Sequence, residues 1–160
     1  MIIGVVSDTH GHKEFARAAV RMLESCQVEQ VIHCGDIGST SIVELFAAWP
    51  THFVLGNVDS NVNELQAAIS RAGQTFHGRF GTLELSSRRI AFLHGDDMAR
   101  LREAIACGQY DLVCYGHTHV ALLERYGRTL ALNPGALFRA QPHSLAVVSL
   151  EEMEVTHIDL

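Results

Sequence analysis

Basic residues are scarce in this chain, whose 160 residues hold 12 Lys plus Arg against 18 Asp plus Glu, for a formal charge of −6. Tight binding to long nucleic acid rests on basic side chains that neutralise phosphates, so that class of partner is not expected. Long apolar runs are missing as well. Gly, Asp or Arg interrupts every one within about ten residues, short of the roughly 20 that a membrane span requires. The opening stretch, Met1 to Asp8, has no basic leader and is too short for a signal peptide. It reads as a first core strand, and the expected location is the cytoplasm. Cysteine is limited to Cys26, Cys34, Cys107 and Cys114, with no Cys-x-x-Cys pair. Free thiols in a reducing compartment fit that pattern better than disulfides or a thiolate zinc site.

The chain does have a hydrophobic content of 48%, enough to bury a substantial core in one domain over residues 1–160. It also has ten histidines, which direct attention to metals or acid–base chemistry. The first half alternates strand and helix. Ile2 to Ser7 is a β-branched run, followed by helical spacing from His12 to Cys26. Gln30 to Cys34 and His52 to Leu55 read as further strands, with a helix from Ser39 or Thr40 through Trp49 between them. A third helix starts near Asn61 or Asn63 and ends before Gly73. The second half is richer in strands: Thr82 to Leu85, Arg89 to Leu93, Leu112 to Tyr115, Ala121 to Tyr126, Thr129 to Leu132, Leu145 to Leu150 and Glu154 to Ile158. One more helix, Asp97 to Cys107, interrupts them. That count exceeds one doubly wound sheet. An α/β fold of two mixed sheets packed as a sandwich, with flanking helices, accommodates it.

The residues that end the inner strands carry the chemistry: Ser7-Asp8-Thr9-His10, Gly35-Asp36, Gly56-Asn57, His94-Gly95 and Gly116-His117-Thr118-His119. Parallel strands deliver their carboxyl-end loops to one edge, where ligands bind in open α/β folds. Strand-like alternation in Asp8-Thr9-His10 would put both outer side chains on one side, able to share an ion, and His117-Thr118-His119 repeats the spacing. Asp36 is the natural bridge between two cations. Oxygen and imidazole donors without thiolate suit Mn²⁺ first, with Fe, Zn²⁺, Ni²⁺ or Co²⁺ as alternatives.

This ordered set, with Val58-Asp59 after Asn57 and the later Asn133-Pro134-Gly135, resembles the signature of the calcineurin-like metallophosphoesterase superfamily, in particular its small single-domain phosphodiesterase branch in bacteria and archaea. The resemblance implies a two-sheet sandwich flanked by helices. It implies that Asp8, His10 and His119 hold one divalent ion, that Asn57, His94 and His117 hold the other, and that Asp36 bridges them. Asp36, Asn57 and His94 are then catalytic, and the activity is hydrolysis of a small phosphorylated substrate by in-line attack of a bridging hydroxide on phosphorus. Asp59 is expected to orient a ligand.

Two departures bear on the chemistry. Many members carry histidine where this chain has Val58, and some small members lack it; His12, or less readily His77, is the substitute proton donor. Asp96 stands where a histidine commonly follows the glycine, and Ala136 where serine often follows Asn-Pro-Gly. His33 reads as a hydrogen-bonded core residue, and His52, His143 and His157 as surface residues. His77 reads as a loop residue near the mouth of the site, and Arg139 as solvated or in reach of phosphate. The rival functions are a noncatalytic scaffold of the same fold that binds protein, and a metal hydrolase of C–N or C–O bonds. Homo-oligomerisation is left open.

Overall fold

The computed structural model describes all residues 1–160. In chain order the elements are β1 (Ile2–Val6), α1 (Lys13–Ser25), β2 (Gln30–His33), α2 (Thr40–Leu45), β3 (Thr51–Phe53), α3 (Val62–Arg71) and β4 (Thr75–Phe76). They continue with β5 (Phe80–Leu85), β6 (Arg88–Leu93), α4 (Met98–Ala106), β7 (Leu112–Cys114), β8 (Ala121–Tyr126), β9 (Thr129–Pro134), β10 (Ser144–Ser149) and β11 (Glu154–Asp159). One sheet has the order β11-β10-β1-β2-β3-β4 and the other β5-β6-β7-β9-β8. The first is parallel from β1 to β4, with β10 and β11 antiparallel. The second is parallel through β6, β7 and β9, with antiparallel edges. Both sheets are mixed, as the sequence predicts.

Alternation along the strands builds three apolar layers. Ile3 and Val5 of β1 face Ile90, Phe92, Leu112 and Leu132 of the opposite sheet. The other face of the first sheet, with Val6, Val31 and Phe53, packs on Ala19 and Leu23 of α1, Ile42 of α2 and Ile69 of α3. The outer face of the second sheet, with Ala91, Val113 and Ala131, is covered by Leu101 and Ala104 of α4. Strands buried on both faces read as continuous apolar runs, which explains Ile2 to Val6.

Differences from expectation are local. Helix α2 stops at Leu45, and Ala47 and Trp49 instead make short bonds to the carbonyls three residues back. Pro50 disfavours helical geometry in the residue before it, which loosens this last turn. The two-residue β4 is too short to leave a periodic signal. Strand β8 is exposed along its whole length because it is the outermost strand of its sheet.

Phe92 is among the largest fully buried side chains and lies between the two sheets. Phe92→Ala should lower unfolding free energy by about 3–5 kcal/mol, read as a reduced urea midpoint with an unchanged slope.

Candidate functional site

The loops after β1, β2, β3, β6 and β7 meet at one edge of the sandwich. The first two extend their strands' ladder, with Asp8 N donating to Gly35 O at 3.0 Å, His10 N to Asp36 O at 2.9 Å and Gly11 N to Ile37 O at 2.9 Å. The second sheet joins through its own loops: His117 N donates to the Asp8 carboxylate at 3.1 Å, and His94 Nδ1 is 2.8 Å from the Cys34 carbonyl.

The donor atoms form two adjoining clusters, Asp8 with His10 and His119, and Asp8 with Asp36 and His94, each with all atoms within 4.8 Å of one another. Asp8 Oδ1 is common to both, 3.1 Å from His119 Nε2, 3.8 Å from His10 Nε2 and 4.0 Å from His94 Nε2. Asp36 Oδ2 also lies between the halves, 3.5 Å from His10 Nε2 and 3.3 Å from His94 Nε2. Asn57 Oδ1 completes this side, 3.1 Å from His94 Nε2. The far ring nitrogens are committed outward. His94 Nδ1 donates to the Cys34 carbonyl, and His119 Nδ1 to that of Arg139 at 3.1 Å. Each Nε2 lone pair is thereby turned toward the centre.

The cage attracts positive charge. Burial works against a charged His94, but the hydrogen bond and charge of Asp36, with Asp8 behind them, outweigh it and hold its pKa above the ordinary value. Burial also pushes Asp36 up, yet His94, the Val58 N–H and His10 together keep that carboxyl below its ordinary value. Burial dominates at His10, where Asp36 and Asp8 only partly offset it, and the pKa falls. Asp8 Oδ1 and His10 Nε2 are buried without a hydrogen-bond partner. Orphaned oxygen and nitrogen lone pairs facing one another are the signature of a divalent-cation site, so the residues present fit such ions.

The backbone around the cage is strained and tied down. Asp8, His10, Asp36, His117 and His119 all have left-handed φ, between 47° and 67°. Such conformations cost of order 1–3 kcal/mol each and persist only where the surroundings over-determine them. Asp59 supplies much of that constraint, accepting from Ile37 N at 3.1 Å, Gly38 N at 2.9 Å and Gly56 N at 2.9 Å. Asn133 Nδ2 donates to Gly116 O at 2.9 Å and Thr118 Oγ1 at 3.0 Å, fixing the loop of His117 and His119. A side chain on Gly56 would overlap the Asp36 carboxylate, and one on Gly116 would overlap Ser7 Oγ and crowd that of Asp8. These two glycines let the loops close on the site.

Several expectations need correction. Asp8 and His10 share a side because both are left-handed, not because the segment alternates as a strand. His117 and His119 are also left-handed but meet different partners: His119 enters the cluster of Asp8 and His10, and the exposed His117 ring stands 5.1 Å from that of His94. His12 lies outside both clusters, at the N-cap of α1, with its ring stacked on Phe138. His52 is not a free surface residue: on β3 it pairs at 3.0 Å with His77, which lies in the loop after β4 as expected, and it also reaches Gln30; burial followed by the charge of His77 pushes His52 down to about 4. His143 packs against Phe15 at 4.1 Å, and His157 bonds the Asn133 carbonyl at 2.8 Å. Arg139 is exposed, and its backbone carbonyl rather than its guanidinium serves the site. The bond between Thr9 Oγ1 and His33 Nε2, at 2.6 Å, ties the loop after β1 to the end of β2, a link that no local pattern announces.

A profile of the calcineurin-like phosphoesterase superfamily domain matches residues 1–153. A phosphodiesterase of Methanocaldococcus jannaschii is 33% identical over 138 residues, 84% of this chain and 83% of that protein. The solved structure of an archaeal phosphodiesterase superposes with a TM-score of 0.92 at 30% identity, covering 100% of both chains. Vacuolar protein sorting 29 from Cryptosporidium parvum shares the fold, with a TM-score of 0.61 at 16% identity over 98% of this chain and 95% of that one. Fold and site thus define a phosphoesterase, a hydrolase of phosphoric ester bonds, of a class that works with divalent metal ions. The chain belongs to the calcineurin-like phosphoesterase superfamily. No helix is long and apolar enough to cross a membrane.

His33 gives the support of the site a pH dependence. Complete burial, then the nearby His94, pushes its pKa down to about 3 although Asp36 opposes the shift, so the native ring stays neutral. Below about pH 6.5 the unfolded chain binds a proton here that the native state refuses; this contribution to stability is intact above that pH and lost progressively toward pH 3. Urea unfolding between pH 7 and 4.5 should show a slope steeper in wild type than in His33→Gln by up to about 1.4 kcal/mol per pH unit. Equal slopes would remove His33 from the account.

Proposed function

We propose that this protein is a metal-dependent phosphodiesterase acting as one domain over residues 1–160 on a small phosphorylated substrate. The observation that carries the reading is the pair of carboxylate–imidazole clusters that share Asp8 and enclose orphaned donor atoms. Asp8, His10 and His119 would hold one divalent cation and Asn57, His94 and His117 a second, with Asp36 between them. Mn²⁺ is the first choice, and Fe, Zn²⁺, Ni²⁺ and Co²⁺ also suit the donors. When bound, such a pair supplies an ionised water near neutral pH and offsets the charge that builds on the phosphoryl oxygens during in-line displacement. The choice of diesters draws support from the relative named a phosphodiesterase.

The chain's own residues hold that chemistry in place. The Val58 N–H donates to Asp36 Oδ1 at 3.1 Å, which steadies the carboxylate and leaves its other oxygen turned to His10 and His94. Asn57 and His94 flank the same space as catalytic partners of Asp36. The Val58 side chain has no proton to give. His12, exposed at the rim, is the proposed donor to a poor leaving oxygen, whereas an aryl leaving group needs none. Four free cysteines fit a cytoplasmic home.

Chelator-treated protein should gain hydrolysis of bis(p-nitrophenyl) phosphate on addition of Mn²⁺, and Asp36→Asn, which keeps an oxygen for the Val58 N–H, should lose at least about 100-fold in kcat/KM. The rival reading, a noncatalytic scaffold for protein binding, has only the shared fold behind it. Absence of turnover with every divalent metal, with no metal retained on elemental analysis, would favour that rival.

A further inference from the structure

Beside the first cluster lies an aromatic shelf of which the proposed hydrolytic chemistry uses only the ring nitrogen of His12, leaving the ring faces without a task. The ring of His12 stacks on Phe138 with centroids 3.4 Å apart and planes 17° from parallel. Phe138 is held from below by Phe15, 6.2 Å away, which packs in turn on His143. Backbone bonds from Leu137 N to Ser7 O and from Phe138 N to Asp8 O, both 3.1 Å, anchor this segment directly against the loop that carries Asp8 and His10. Gly11, with φ of 76°, turns the chain back so that His12 comes over Phe138. From the cage outward the rings follow one another, His119 to His10 at 5.4 Å and His10 to Phe138 at 6.0 Å.

Three features set the shelf apart from a buried packing cluster. His12 is exposed, so the face of its ring away from Phe138 meets solvent. Its side chain makes no capping hydrogen bond to helix α1, so π contact rather than capping orients the ring. The exposed Arg139 sets its guanidinium over the Phe138 ring, 5.4 Å from the centroid, which adds a cation to the same stack. A flat π face on a stack that also carries a cation, with Phe138 the one ring between it and His10 of the cage, suits an aromatic group joined to phosphate through a short sugar.

We propose that His12 stacked on Phe138 is the platform for the base of a nucleotide phosphoester, which makes nucleotides the substrate class of this site. The inference rests on the phosphoesterase reading and deepens it. The base is recognised by its face: a ring placed on His12 extends a stack already two rings deep, and a base stacks on an aromatic side chain whatever its identity. The shelf is open, so adenine, guanine, cytosine and thymine should differ little. The same His12 can still present a ring nitrogen at its edge, and the two roles separate by substitution, because Phe keeps the face and loses the proton.

Adenosine 5′-monophosphate and ribose 5-phosphate share sugar and phosphate and differ by the base alone. Their dissociation constants, measured by calorimetry on the Mn²⁺-supplemented protein, should differ by about tenfold in favour of the nucleotide. His12→Ala should bring the ratio close to one, and His12→Phe should retain it. Equal affinities in the wild type, no binding of either compound, or an advantage that survives His12→Ala would overturn the proposal. The binding ratio without turnover of any phosphoester would keep the platform and remove the hydrolytic reading. Metal-dependent turnover without the ratio would do the reverse.

Discussion

Two carboxylates buried side by side set the terms on which the rest of this molecule is built. Asp8 is fully buried and Asp36 is 3% exposed, and an ionised carboxylate taken out of water is expensive unless charge and hydrogen bonds answer it. The structure answers from the backbone side with His117 N on Asp8 and Val58 N on Asp36. From the other side it answers with the Nε2 atoms of His10, His94 and His119. That second answer is incomplete, because neutral imidazole lone pairs do not balance two negative charges. The raised proton affinity of His94 and the unpartnered atoms of Asp8 and His10 express the same deficit. Divalent cations would satisfy all of these groups at once.

The sandwich exists around that cage in a specific sense. Each sheet supplies parallel strands whose carboxyl ends reach the same edge, so each half of the cage draws on both layers. His94 arrives on β6 from one sheet and anchors on Cys34 at the end of β2 in the other. Holding five loops in left-handed or tightly turned conformations requires anchors on the backbone itself. Asp59 and Asn133 fill that role by binding backbone rather than ligand. Constraint of this kind keeps donor atoms close to their working positions before any ligand enters, and it lowers the reorganisation that catalysis would otherwise demand.

Of the departures from the usual pattern, Val58 and Asp96 lie at the rim and Ala136 is buried. Val58 is exposed, but its backbone still serves Asp36, so losing a histidine side chain there leaves the centre as it is. Asp96 forms an ion pair with Arg79 at 3.6 Å, outside both clusters. The rim is where the substrate beyond its phosphoryl group would be met. A change of side chain at this level alters what is bound and how the leaving group departs while the cage persists.

The four helices and ten of the eleven strands were legible in the sequence, because strands buried on both faces and helices buried on one leave apolar patterns that local reading detects. The seven polar residues proposed as ligands stood out for a related reason: they follow apolar runs, five of them beside a glycine, and their order is distinctive. Other features depended on contacts between distant parts of the chain. The hydrogen bond of His33 with Thr9, the pairing of His52 with His77, the Asp59 clamp and the stack of His12 on Phe138 join residues whose separation in sequence carries no period. Backbone handedness was equally out of reach, since nothing in Asp8-Thr9-His10 announces that both flanking residues turn left. The sequence by itself determined the elements, the layers and the chemical identity of the donors, because burial pattern and side-chain chemistry are local properties. Tertiary structure alone decided which donors face one another, which histidines are held neutral and which rings are left open at the rim. Those depend on packing and electrostatics summed over the whole sandwich.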